Sequence, residues 1–98
     1  MRIIYTEDNE LNEFESYNKG YRNDVIVIIQ EKKYYLNIID YNRLSQDYDN
    51  ETKNGGKYLN VPNLIIVKEV TKAEIEETII ELEKIGFFRK LGGLDSLE

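Results

Sequence analysis

An uninterrupted run of β-branched residues constrains the fold more than any other feature of this chain. Residues 24–30 read Asp-Val-Ile-Val-Ile-Ile-Gln. Branched side chains lose rotamer freedom in a helix and pack well on a pleated surface, so this run predicts a central strand. A polar turn, Glu31-Lys32-Lys33, and a second apolar run over residues 34–41 follow it. Together the two runs predict a β-hairpin.

A short strand and a short helix are predicted before the hairpin. Residues 2–6 form a small apolar run typical of a strand. In residues 7–17 the large apolar side chains Leu11, Phe14 and Tyr17 recur every three positions, which indicates one face of a helix.

The strongest helix signal lies in the last third of the chain. Thr71-Lys72-Ala73-Glu74 matches a capping box, in which the Thr hydroxyl accepts a hydrogen bond from the Glu74 amide. Gly86 is the expected end of this helix. Three apolar residues share one face at helical spacing: Ile75, Ile79 and Leu82.

The middle of the chain is polar and carries weaker signals. Residues 42–57 predict a loop, with one or two helical turns at residues 43–48 and a turn at Asn54-Gly55-Gly56. Residues 58–61 are expected to form a short strand, and residues 64–70 a third strong one.

The order of these elements predicts the fold class. It favours an α+β fold with an antiparallel or mixed sheet of about four strands, on one face of which a long C-terminal helix and a short N-terminal helix pack. A length of 98 residues suits one domain. We assign that domain to residues 1–90 and expect residues 91–98 to form a mobile tail.

The absence of histidine and cysteine narrows the chemistry. No imidazole base, thiolate nucleophile or disulfide is available, and no serine lies in a G-x-S-x-G pattern. Asp47 begins a stretch that superficially resembles a calcium loop, but Thr52 replaces the required Gly and Tyr58 the bidentate Glu. We therefore expect no catalytic residues, no metal and no cofactor. A chain without cysteine, signal-peptide pattern or membrane-length apolar segment favours the cytoplasm.

Charge indicates the kind of partner. The chain has 13 Lys and Arg against 19 Asp and Glu, a net charge of −6. This charge opposes direct binding of nucleic acid or a membrane surface and favours a basic partner. Much of the acid lies in residues 7–15 and 40–51, near some of the eight tyrosines, and tyrosine is enriched at protein interfaces. The predicted partner-binding residues are Glu7, Asp8, Glu10, Glu13, Glu15, Tyr17, Asp47, Tyr48, Asp49 and Glu51. The alternative is ordinary solvated surface, with most tyrosines packed along sheet edges.

Three stretches resemble small bacterial immunity proteins, and in particular the Maf-type immunity proteins. They are Ile-Ile-Tyr-Thr-Glu-Asp-Asn-Glu-Leu from residue 3, Arg-Leu-Ser-Gln-Asp-Tyr from residue 43, and Pro-Asn-Leu-Ile-Ile-Val-Lys-Glu-Val-Thr-Lys-Ala-Glu-Ile from residue 62, with a later Gly-Phe-Phe. The resemblance covers residues 1–90. It implies a cytosolic, non-enzymatic protein that protects its own cell by binding one cognate contact-dependent or polymorphic toxin domain, often a nuclease.

Three functional hypotheses follow. The first is an immunity protein that neutralises a basic toxin domain by occluding its active site. The second is a regulatory or adaptor domain that binds a cellular protein, or itself, through a sheet edge. The third is a small hydrolase that uses two close carboxylates, which would require a buried acidic pair with raised pKa values.

Overall fold

The computed structural model describes residues 1–91 and 94–95. It contains a mixed sheet and four helices, which confirms the α+β class. In chain order the elements are β1 (Arg2–Tyr5), α1 (Glu10–Lys19), β2 (Tyr21–Ile29), β3 (Lys32–Asp40), α2 (Tyr41–Lys53), β4 (Leu64–Val67), α3 (Lys72–Lys84), α4 (Phe87–Leu91) and β5 (Leu94–Asp95).

The predicted hairpin forms the centre of the sheet. The strand order is β1-β2-β3-β4, and β5 pairs with the first residues of β3. The β1–β2 and β2–β3 pairs are antiparallel, whereas β3 and β4 are parallel. The hairpin turns at Gln30 and Glu31, which both have positive φ (49° and 69°). Such a two-residue turn matches the twist of the flanking strands.

The hydrophobic core lies on one face of this sheet, beneath α3 and α4. Val27, Ile75 and Ile79 are fully buried. The Phe88 ring packs edge-on against Tyr34, with 5.2 Å between ring centroids. The aromatic pair after Gly86 folds back onto the core, since Phe88 is buried and Phe87 packs against the same cluster.

The helix α2 lies against the opposite face of the sheet. On this face the Tyr21 hydroxyl donates a hydrogen bond to the Asn37 side-chain oxygen, and the Arg43 guanidinium lies 5.3 Å from the centroid of the Tyr21 ring. The prediction placed an N-terminal and a C-terminal helix on one face and included no helix on the other, so α2 is an unpredicted element of the fold. The predicted loop with a short helical piece is likewise replaced by a 13-residue helix, because the Asp40 side chain caps it and Arg43 pairs with Asp47 one turn later.

The prediction of a long C-terminal helix is also wrong. The helix α3 has 13 residues, no more than α2, and α4 follows it. Gly86, with φ of 77°, takes the left-handed conformation that ends a helix, and α4 then directs Phe88 into the core. Residues 58–61 do not form the expected strand.

The expected tail spans residues 91–98. Leu91 ends α4, residues 94–95 pair with β3, and the other tail residues lie outside the described part of the chain. Within the described residues, no helix has the length and apolar character needed to cross a membrane.

Candidate protein-binding surfaces

The helix α1 turns its apolar side chains away from the rest of the protein. Leu11 is 65% exposed, Phe14 68% and Tyr17 50%. Ser16 is the buried residue of this helix. A surface helix normally buries its apolar stripe, so α1 is reversed relative to the usual arrangement. We call Leu11, Phe14 and Tyr17 together the α1 face.

Short residues form both ends of α1. Asn9 caps the helix by accepting a hydrogen bond from the Asn12 amide at 2.7 Å, and the Asn12 side chain donates to the Glu7 carbonyl at 2.7 Å. At the other end, a Cβ on Gly20 would lie 2.5 Å from an Asp40 carboxylate oxygen. Glycine at position 20 thus leaves room for the Asp40 carboxylate, which caps α2.

A buried ion pair supports the start of α1. Arg22 and Asp24 are almost completely buried, with 2.6 Å between Nε and Oδ1. Asp24 also accepts a hydrogen bond from the Glu7 amide at 2.8 Å. Burial alone would raise the pKa of the Asp24 carboxyl, but the hydrogen bonds from Arg22 and from the Glu7 amide outweigh it and hold that pKa below its ordinary value.

The Tyr5 ring connects this ion pair to α3. The Arg22 guanidinium lies 4.5 Å from the ring centroid and the Lys72 ammonium 4.8 Å from it. The Tyr5 hydroxyl donates to a Glu76 carboxylate oxygen at 2.9 Å. Burial, and then the hydrogen bond and charge of Glu76, raise the pKa of the Tyr5 phenol well above its ordinary value. Each polar group of this cluster has a protein partner, as a structural cluster should.

Three of the predicted partner-binding acids form ion pairs within the protein. Asp8 and Glu13 both pair with Lys72, whose pKa the Asp8 hydrogen bond raises. Asp47 pairs with Arg43 at 2.9 Å. Among the described residues, five predicted acids have no ion-pair partner: Glu7, Glu10, Glu15, Asp49 and Glu51.

The two acidic segments do not merge into one patch. The helices α1 and α2 meet at their ends, where the Asp40 amide donates to the Gly20 carbonyl and Arg43 donates to the Lys19 carbonyl. They do not pack along their lengths. Glu13 lies about 9 Å along the α1 axis from Lys19, at about 1.5 Å per residue. Three cations, Lys19, Arg43 and Lys68, line a cleft of about 650 Å³ at the junction.

A second exposed aromatic surface lies beside α2. Tyr41 and Tyr48 project from α2, and Tyr58 lies on the facing segment. Tyr41 is 70% and Tyr58 72% exposed. Leu44, Leu59 and Leu64 complete a cavity of about 500 Å³. We call these six residues the tyrosine groove. Only Tyr48 was among the predicted site residues. The seven-residue spacing of Tyr41 and Tyr48 could have indicated two rings on the same side of a helix.

Comparison of the chain with protein-family models, with curated proteins and with solved structures finds no match. In residues 1–91 and 94–95, no group of three or more Asp and Glu side chains is placed to hold a metal ion. The arguments about function therefore depend on the surfaces themselves.

Proposed function

We propose that this protein is a non-enzymatic inhibitor of the immunity-protein type, which binds a basic toxin domain such as a nuclease and occludes its active site. The observation that carries the proposal is the α1 face. Its exposed apolar side chains lie beside Glu7, Glu10 and Glu15, which have no ion-pair partner among the described residues.

The α1 face has the properties of an interface anchor. Apolar residues repeated every three positions can insert into a groove of a partner, which is a common mode of helix recognition. Large contiguous apolar surfaces on soluble proteins often mark interaction sites. The flanking carboxylates favour a groove edged with Lys and Arg, and they speed association with it. A nuclease active site is such a surface because it binds phosphates.

The test first asks whether the gene immediately upstream encodes a secreted protein with a variable C-terminal domain. Calorimetry then measures the affinity of that domain for this protein. Phe14→Ala is expected to weaken binding at least about tenfold, the usual effect of removing a central aromatic anchor. Glu10→Lys with Glu15→Lys is expected to weaken binding and reduce its salt dependence. Glu31→Lys serves as the control, because Glu31 is exposed in the hairpin turn and each Glu→Lys substitution changes the net charge by the same amount.

The choice of acids matters for this test. Substitution of Asp8, Glu13 or Asp47 would break an ion pair within the protein, so it would mix folding effects with binding effects. Unchanged affinity and unchanged salt dependence in the Glu10→Lys, Glu15→Lys variant would refute the proposed role of the α1 face.

One observation favours the adaptor alternative. The strand β1 pairs with β2 and lies at the edge of the sheet, so the other side of its backbone is open among the described residues. An open edge can pair with a strand of another chain or a second copy. Sedimentation analysis tests self-association: a mass that rises with concentration supports the alternative, and a constant monomer mass argues against self-pairing.

A further inference from the structure

The tyrosine groove is separate from the α1 face and plays no part in the proposed inhibition. Its walls are α2 on one side and the segment of Tyr58 and Leu59 on the other. Three tyrosines and three leucines make its lining mainly apolar, and Ser45 and Lys57 complete that lining. Aromatic-lined grooves of this kind are used to bind extended peptides.

Ring spacing indicates the conformation of that peptide. Tyr41 and Tyr48 lie on the same side of α2, because seven residues are close to two helical turns. They are separated by about 10.5 Å along the helix axis, at about 1.5 Å per residue. A polyproline II chain repeats about every 9.3 Å, from three residues of about 3.1 Å each. Successive turns of such a chain can therefore contact successive rings.

A carboxylate lies near one end of the groove. A second cavity, of about 480 Å³, shares Lys57, Tyr58 and Leu59 with the groove and is also lined by Glu51. A Cβ added to Gly56 would lie 2.6 Å from Glu51 Oε2, so glycine at this position leaves room for the carboxylate. Glu51 has no ion-pair partner among the described residues. Its charge complements a Lys or Arg side chain.

We propose that the tyrosine groove binds an extended, proline-containing peptide segment. The apolar turns of the peptide pack against Tyr41, Tyr48 and Tyr58, and a following Lys or Arg reaches Glu51. A preformed polyproline II chain loses little entropy on binding, and aromatic-lined grooves are the usual receptors for it. The ligand is thus a protein segment of defined chemistry, bound independently of any partner of the α1 face.

The test is a titration of the full ¹⁵N-labelled chain with the peptide acetyl-Pro-Pro-Leu-Pro-Pro-Arg-amide, followed by NMR. Saturable shifts are expected at residues 41–48, 51 and 57–59. Tyr58→Ala is expected to weaken binding at least about tenfold, as for other interface tyrosines. Ile85→Ala is the control, because Ile85 is 67% exposed at the end of α3 and does not line the groove.

A second pair of measurements tests Glu51. Glu51→Gln is expected to weaken binding of the arginine peptide while leaving unchanged the binding of a peptide that ends in glutamine. The proposal is overturned by the absence of saturable shifts, by shifts confined to α1, or by equal losses in Tyr58→Ala and Ile85→Ala. Saturable binding of a thymidine oligonucleotide to the same residues, in place of the peptide, would instead assign the groove to base stacking.

Discussion

The helices α1 and α3 show similar apolar periodicity but orient it in opposite ways. Both begin with a side-chain cap and carry apolar residues at helical spacing. In α3 those residues, Ile75 and Ile79, are fully buried in the core between the helix and the sheet. In α1 the corresponding residues, Leu11 and Phe14, are about two-thirds exposed. Periodicity thus locates a helix but does not determine which way its apolar side faces.

The two helices are held by different forces. Burial of apolar area stabilises α3. Polar contacts attach α1: the Asp24 bond to the Glu7 amide, the ion pairs of Lys72, and the Arg43 bond to the Lys19 carbonyl. Because polar groups hold α1 in place, its apolar side chains are not needed for folding and remain available for a partner.

The largest expected effect is the loss of the buried charge that supports α1. Asp24→Asn leaves the Arg22 guanidinium buried without a counter-ion, which costs about 3–5 kcal/mol of unfolding free energy. Urea denaturation measures this loss. Replacing both residues, Arg22→Met with Asp24→Leu, should recover much of it, since an apolar pair of similar volume is often as stable as a buried ion pair. A double variant no better than Asp24→Asn would contradict this account.

The ionisation of Asp24 should also make the free energy of unfolding depend on pH. The folded-state pKa of Asp24 is lower than its unfolded value, which is about 3.9. Its ionisation therefore stabilises the fold fully above that value, and the stabilisation declines as the pH falls through the folded pKa. The stability difference between wild type and Asp24→Asn should be constant between about pH 5 and 7 and should shrink below about pH 4. A stability difference that grows as the pH falls would contradict this prediction.

A matched pair of truncations tests the comparison between the two helices. Ile79→Ala removes a fully buried side chain and should cost about 2–5 kcal/mol. Leu11→Ala removes an exposed one and should change stability by no more than about 0.5 kcal/mol. Both are measured by urea denaturation followed by circular dichroism. A large cost for Leu11→Ala would mean that the α1 face packs against the protein in solution.

Local signals in the sequence were sufficient for β1, the hairpin, β4 and the start of α3, although they also predicted a strand at residues 58–61 that does not form. The β-branched run and the capping box depend on neighbouring residues, so the hairpin and the start of α3 were predictable. The length of α2 was not, because its sequence is polar throughout and its stability comes from the Asp40 cap and the Arg43–Asp47 pair. The parallel pairing of β3 and β4, which local signals do not reveal, requires a crossover connection, and α2 lies in that connection.

The candidate surfaces were only partly predictable. Acid content identified Glu10 and Glu15 as candidate contacts, but it could not show that Asp8 and Glu13 share Lys72 from a distant part of the chain. The outward direction of Phe14 was also unpredictable from periodicity, because it depends on tertiary contacts of the opposite side of α1.

The smallest expected effects come from the two helix caps, and they separate local from global stability. Thr71 and Asn9 each accept a hydrogen bond from an amide in the first turn, and an alanine at either position should cost about 0.5–2 kcal/mol. Thr71→Ala should lower the global unfolding free energy, because α3 unfolds together with the core. Asn9→Ala should mainly increase hydrogen exchange within α1, since this helix has little buried apolar area to couple it to the core. If Asn9→Ala instead lowers exchange protection equally in β2, β3 and α3, then α1 is part of the cooperative core, and the contrast between the two helices fails.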